Sequence, residues 1–407
     1  MAASGNTSID SPIAAKIFLM KNLFCDNLSM RCFPILLFFA ATSAFAQPAP
    51  QTRFSRTTED LRGVSTVSEK IAWASGTHGT YLRTTDGRIW IPEQVPGAEA
   101  LDFRAVVAFS AEEAFLMSAG PGDQSRIYHT ADTGRHWSLQ FTNTNPKGFF
   151  DSMVFWDRTH GIVLGDPIPD EAGNLKFELL ITENGERWSP IPSAHLPPAL
   201  EGEGAFAASN TCVAILSSAQ SRKSGIPPSE NERASAIDAN IWFATGGKAA
   251  RVFHSPDRGR TWQVFDTPIV HGTDSAGIFS IAFRDANHGV IAGGDYKRPD
   301  QAGPDLAFTN DGGRTWTLSQ IFPQYYYSAV AYDRAVRNPG AEKLNDNQAK
   351  VRLFVVEPKS IYDFRPPRNP TRISPRRASG TQFNAVSPYP NGGALVVGPK
   401  GSMALVP

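Results

Sequence analysis

Four carboxylates, two guanidiniums and a phenol stand at corresponding points of a repeating chain: Asp151, Asp166, Glu203 and Asp295, with Arg62, Arg104 and Tyr296. Those residue types could hydrolyse a glycosidic bond. That reaction needs a carboxylic acid of raised pKa and a second carboxylate as nucleophile or base, with cations added if the sugar is itself acidic. The same side chains could instead line a binding mouth, because polar groups on loops held by a rigid scaffold are favoured for recognition. The plainest alternative is mutual neutralisation in a wet channel, with Arg62 and Arg104 paired to Asp151 and Glu203. No acid–nucleophile pair can be picked out among them, so no catalytic residue is assigned.

Other chemistries find less in the sequence. Gly202-Glu203-Gly204-Ala205-Phe206-Ala207 matches the spacing of a dinucleotide-binding turn. That turn needs a strand before it and a helix after it, so that a pyrophosphate meets the helix N-terminus. Here Pro197-Pro198 precedes the glycines and an apolar, strand-like run follows, which leaves oxidoreductase activity a remote alternative and no cofactor implied. The histidines are scattered singly, none with a partner at ligand spacing, and no Asp-x-Asp-x-Asp calcium loop is present, so no metal is expected. Cys212 lies in the apolar stretch Cys212-Val213-Ala214-Ile215-Leu216 and is read as a buried core thiol.

The element that must position the candidate side chains is a turn that recurs along the chain. Its copies are Thr309-Asn310-Asp311-Gly312-Gly313-Arg314-Thr315-Trp316, Ser255 to Trp262, Thr130 to Trp137, a weaker Ile181 to Trp188 and a shortened Thr84 to Trp90. In each the acidic residue (Asp86, Asp132, Glu183, Asp257, Asp311) is expected to accept backbone N–H bonds across a tight turn. Gly134, Gly185, Gly259 and Gly313 supply the positive φ that a Cβ would penalise. Trp90, Trp137, Trp188, Trp262 and Trp316 then begin the next strand and pack between neighbouring units. The period of about 50 residues, with alternating apolar segments between glycine breaks, predicts an all-β, seven-bladed propeller of four-stranded blades.

Within each unit the first strand is placed at Leu61–Ser65, Arg104–Ala108, Asp151–Phe155, Gly204–Ala208, Ser280–Phe283, Ser328–Tyr332 and Phe383–Ser387. The last unit stops one strand short, so residues near Phe54-Ser55-Arg56 are expected to supply the missing outer strand and close the ring. The seven polar residues fall where first strands start and second strands end, at one mouth of the central channel, with the Asp turns on the other face. Insertions at 217–239 and 333–350 are expected as loops on the turn face, and those at Pro167–Lys176 and Tyr296–Asp305 at the mouth.

Met30-Arg31 followed by the apolar run Phe33–Ala41 and by Ala44-Phe45-Ala46 has the organisation of a secretory signal cut after Ala46. The chain therefore divides into residues 1–46, an extension and signal, and residues 47–407, the propeller, with a secreted or periplasmic location expected. Cleavage would remove Cys25 and Cys32 and leave Cys212 as the one remaining thiol. Thirty-nine basic residues against 39 acidic ones leave no basic field for nucleic acid. No later stretch is apolar enough for a membrane span.

The turns, together with Leu61-Arg62-Gly63-Val64, Leu101-Asp102-Phe103-Arg104, Gly202 to Asn210 and Gly293-Gly294-Asp295-Tyr296, resemble the secreted BNR (Asp-box) propellers similar to photosystem II stability/assembly factors. The resemblance covers nearly all of residues 54–407. It implies a seven-bladed, non-catalytic ring that binds a protein at the mouth away from the turns, and a monomer with a protein or extracellular glycan partner is expected. Ile361-Tyr362-Asp363-Phe364-Arg365 departs from the pattern by lacking the Gly and Trp. The enzymatic alternative is a glycoside hydrolase of the sialidase-like Asp-box group. Against it, Arg88-Ile89-Trp90, Arg126-Ile127-Tyr128 and Arg372-Ile373-Ser374 all lack the proline of the Arg-Ile-Pro motif of sialidases.

Overall fold

Antiparallel pairing of short strands accounts for all the regular structure apart from two single 3-10 turns, in a computed structural model that describes residues 50–216, 239–320, 325–334, 352–364 and 382–407. The strands form seven sheets, the blades of a β-propeller. Blade one comprises Leu61–Thr66, Ala72–Gly76, Thr80–Thr84 and Ile91–Gln94. Blade two comprises Asp102–Ala108, Ala114–Ala119, Arg126–Thr130 and Ser138–Thr142, and blade three Phe150–Phe155, Gly161–Pro169, Leu175–Thr182 and Ser189–Pro190. Blade four is built from Val213–Ile215, Ile241–Ala244, Arg251–Ser255 and Gln263–Asp266, and blade five from Ala276–Phe283, Gly289–Asp295, Leu306–Thr309 and Thr317–Leu318. Blade six shows Ala329–Tyr332, Leu353–Glu357 and Ser360–Phe364 among the described residues. Blade seven combines Ala385–Pro388, Ala394–Gly398 and Ser402–Val406 with an N-terminal strand.

Ring closure follows the expected plan with a shifted strand. Gln51–Thr52 pairs with the last strand, Gln51 opposite Leu405 and Thr52 opposite Ala404, and the Arg53 N–H continues the ladder to the Met403 carbonyl. Phe54-Ser55-Arg56 does not pair. Arg56 takes a φ of 63° and the Ser55 hydroxyl donates to the Thr57 carbonyl, so the chain turns where a strand was expected.

The recurring turn works through its first residue as much as through its acid. The Thr309 hydroxyl donates to Asp311 Oδ1 at 2.8 Å and accepts the Gly313 N–H at 3.0 Å, while Asp311 Oδ1 accepts from the Thr315 N–H. Thr84, Thr130 and Ser255 repeat this hydroxyl bridge to Asp86, Asp132 and Asp257. Gly313 sits at φ 90° with Trp242 and Trp316 against it, which fixes the residue type there. The tryptophans then fill the seam to the preceding blade: Trp262 joins Trp156, Ile162 and Phe243, and Trp188 Nε1 donates to Gln140 Oε1 of blade two at 3.0 Å.

In the third copy Glu183 is not the acceptor. It is exposed, and Asn184 Oδ1 takes the Glu186 and Arg187 N–H groups at 2.9 Å each. Counting from the hydroxyl of Thr182 explains the shift, because the acceptor always lies two residues after it. Asn184→Ala is expected to cost about 1–2 kcal/mol by leaving two turn donors unmet, and Glu183→Ala to stay within about 0.5 kcal/mol. Chemical denaturation of the two variants checks it; equal midpoints would refute the assignment.

Gly204–Ala208 is not the first strand of blade four. Glu203–Gly204 pairs with Gly246–Gly247, which in turn joins blade five, and the first strand of blade four is Val213–Ile215. The insertion at Pro167–Lys176 is largely strand: Pro169 pairs with Leu175, and Asp170 closes a short turn by accepting the Ala172 and Asn174 N–H groups. The insertions at 217–239 and 333–350 lie almost wholly outside the described residues, as do Cys25, Cys32 and the signal segment.

Candidate functional site

The residues between Gly204 and Val213 cross the central channel. The Ala205 N–H donates to Asp166 Oδ1 of blade three at 2.9 Å, and Arg104 Nη1 of blade two donates to the Ala207 carbonyl at 2.9 Å. The Ser209 hydroxyl reaches the Ser328 carbonyl beside blade six, and the Thr211 carbonyl accepts the Ile281 N–H of blade five. Asn210, at φ 59°, accepts the Met153 N–H and returns a bond to the Met153 carbonyl. A strap tied to four blades thus plugs the channel. It separates a cavity of about 500 Å³, lined in part by Ala205–Ala208, from one of about 230 Å³ lined in part by Asn210 and Thr211.

The larger cavity gathers Arg62, Arg104, Asp151, Asp166 and Tyr296, five of the seven residues placed at the mouth from sequence. Glu203 and Asp295 lie elsewhere. Glu203 is buried under the strap, where its carboxylate holds the Arg251 guanidinium, the Thr245 hydroxyl and the Leu200 N–H. Asp295 is buried between the Ser275 hydroxyl at 2.7 Å and Arg298 Nε at 2.8 Å, which ties off the turn that carries Tyr296. Both are bonding hubs for the loops that frame the mouth.

Neutralisation inside the cavity also differs from the expected pairing. Arg104 Nε donates to Asp102 Oδ2 at 2.9 Å, and Arg62 Nε stands 3.5 Å from Asp102 Oδ1. Asp102, two residues before Arg104 on the same strand, was legible as a neighbour on that face from the period of two alone. Phe149, Phe206, Phe279, Tyr326, Asp274, Ser328 and Asn384 complete the lining. Phe206 was missed because a strand reading made it a blade residue. Its ring instead fits over Gly246 and Gly277, where a Cβ would come within 2.2 and 3.0 Å of it.

The charges at the floor are strongly perturbed. Burial drives the Asp151 carboxyl well above the usual carboxylate range, the neighbouring Asp166 adds to the rise, and Arg104 opposes it. Asp166 is raised too, again by burial, against the bond from Ala205. Both carboxyls therefore hold a proton to higher pH than a free carboxylate would. Cys212 is a free, fully buried thiol whose pKa burial also raises, as expected of a core residue. Among the described residues no group of three or more metal-ligating side chains occurs, and no helix is long and apolar enough to cross a membrane.

No protein-family model matches the sequence, and comparison with curated proteins finds no match. Solved structures do resemble the chain. A GH74 xyloglucanase from Xanthomonas campestris aligns over 87% of this chain at 15% identity with a TM-score of 0.52, and the match spans 53% of the xyloglucanase chain. The WD40 propeller domain of Doa1 aligns over 89% of this chain and 97% of its own at 10% identity, with a TM-score of 0.50. The likeness is one of fold. A structure of YCF48 bound to D1 peptide aligns over 90% of this chain and 99% of its own, at 15% identity and a TM-score of 0.39. The xyloglucanase and the Doa1 domain therefore speak to the fold and leave function open, since a propeller is a scaffold that hosts unrelated functions.

Proposed function

We propose that this chain is a non-catalytic, extracytoplasmic propeller that binds a partner protein at the mouth of the larger cavity. The observation that carries this is the rim. Arg62, Arg104 and Tyr296 are partly exposed on three blades around a concavity closed beneath by the strap, whereas Asp151 is 1% exposed. Arginine and tyrosine around a pocket are the anchors that dominate binding energy at protein interfaces. Hydrolysis of a glycoside needs one protonated and one ionised carboxyl group, and here burial pushes Asp151 and Asp166 the same way. The extracytoplasmic location rests on the signal-like residues 30–46, whose cleavage after Ala46 would leave Gln47–Pro50 ahead of the closing strand at Gln51. The protein is taken to act as a monomer.

One observation favours a second class of function. A cavity-lining carboxyl whose pKa is raised by burial is what a glycosidase uses as its acid, and Asp151 has that shift. Affinity capture from an envelope fraction with the mature chain, beside the Arg62→Glu/Arg104→Glu double variant, separates the two. A client that is captured, rebinds after purification and loses at least tenfold in affinity with the double variant is the expected result. Turnover of a glycoside panel that disappears in Asp151→Asn, with no client captured, would replace binding by catalysis.

A further inference from the structure

Among the described residues the carboxylates lining the larger cavity, Asp151, Asp166 and the more exposed Asp274, have no ion-pair partner. Arg62 approaches Asp60 at 3.9 Å and Asp102 at 3.5 Å, and Arg104 is committed to Asp102 and the Ala207 carbonyl. Two guanidiniums are thus met by Asp60 and Asp102. Asp151 and Asp166 remain on the floor. Asp166 accepts the Ala205 N–H, but Asp151 Oδ2, on a side chain buried to 1% exposure, accepts no hydrogen bond. The same cavity holds a run of aromatic rings in mutual contact, with Phe206 4.7 Å from Phe279 and 6.2 Å from Tyr296, and Phe279 5.5 Å from Tyr326. All four rings line the same cavity.

We propose that this floor and these rings form a subsite for a primary ammonium, the side chain of a lysine on the partner; this rests on the reading of the mouth as a protein-binding site. An ammonium brings three donors and a compact charge on an apolar stem. The carboxylate pair takes the donors, and the ring faces take the stem and part of the charge. A hard metal ion suits the site less, because calcium needs six or more oxygens and the pair offers four at most. In the empty cavity burial and the mutual repulsion of Asp151 and Asp166 raise the floor's hold on a proton, with Arg104 opposing. Entry of the ammonium favours the ionised pair and expels that proton to solvent. Binding therefore strengthens as pH rises.

Calorimetric titration of the purified mature chain with N-acetyl-lysine N-methylamide, against the norleucine analogue and in two buffers of different ionisation enthalpy, tests this. The lysine compound is expected to bind at least about tenfold more tightly than norleucine, to release a proton at pH 7 and to tighten between pH 5 and 8. Asp151→Asn and Asp166→Asn, each checked for unchanged thermal unfolding, should each lose at least about tenfold, and Phe206→Leu should weaken binding with the proton release retained. Equal affinity for the two compounds, undiminished binding by Asp151→Asn, or saturation of the pair by calcium chloride alone would overturn the subsite. Should a client still be captured in that case, the mouth remains a protein-binding site and only the lysine falls. Lysine binding with no client captured would overturn the assignment to a partner protein.

Discussion

Replacing Arg251 with methionine is expected to destabilise the ring by about 3–5 kcal/mol, the effect of leaving a buried charge without its partner. Arg251 and Glu203 are both buried, and the guanidinium meets the carboxylate through Nε at 2.9 Å and through Nη2. Arg251 also donates to the Pro198 carbonyl and lies 5.0 Å over the Phe253 ring. Methionine keeps much of the stem and the ring contact but removes every donor. Glu203 would then hold its charge with the Thr245 hydroxyl and the Leu200 N–H alone, in a site closed to water. Equilibrium unfolding in urea measures the loss, and a cost below about 1 kcal/mol would show that the pair is solvated in a way the geometry does not convey. The double variant Arg251→Met/Glu203→Gln should recover a large part of the deficit, because no unpaired charge then remains. Since Glu203–Gly204 begins the strap, the single variant should also loosen Phe206 and raise amide exchange across residues 205–212.

The contrast between Glu203 and Asp151 shows what the sequence could and could not reveal. Blades were legible because their signals are local: a hydroxyl, an acid two residues on, a glycine at positive φ and a tryptophan all lie within one turn. The cavity depends on pairings far apart in the chain. Arg104 donates to Ala207 and Asn210 bonds to Met153, and nothing in either neighbourhood announces the other. An apolar stretch such as Ala205-Phe206-Ala207-Ala208 reads as strand whether it enters a blade or crosses a channel, and only the glycines at 246 and 277 record that Phe206 needs room. Placing residues at the ends of first and second strands therefore found the mouth for Arg62, Arg104, Asp151, Asp166 and Tyr296. It failed for Glu203 and Asp295, whose roles come from Arg251 and Arg298.

Asp305→Asn is expected to remove part of the pH dependence of the stability. Asp305 is buried just before the strand Leu306–Thr309, its Oδ1 accepts no hydrogen bond, and burial raises its pKa to about 7, against a bond from the Gly303 N–H and with a further push from Asp295. The unfolded chain titrates the same group near pH 4. Because the folded value is the higher one, the folded chain binds the extra proton, and stability falls as pH rises. The contribution is complete below about pH 4, is lost as pH climbs to about 7 and is flat above that. At about 1.4 kcal/mol per pH unit, the full span is a few kcal/mol, with about 4 as its ceiling. Asparagine stays neutral throughout and should remove that dependence. The variant should therefore gain on the wild type steadily between pH 4 and 7, as read from paired urea unfolding curves at each pH. A difference between the two that does not change with pH would mean that Asp305 is ionised in the folded ring. The effect reaches the mouth, because the Asp305 carbonyl accepts the Gly293 N–H and Asp295 anchors the turn bearing Tyr296. Above pH 7 a second charge beside Asp295 strains the base of that turn, so amide exchange at Tyr296 and Lys297 should rise with pH in the wild type and stay level in the variant.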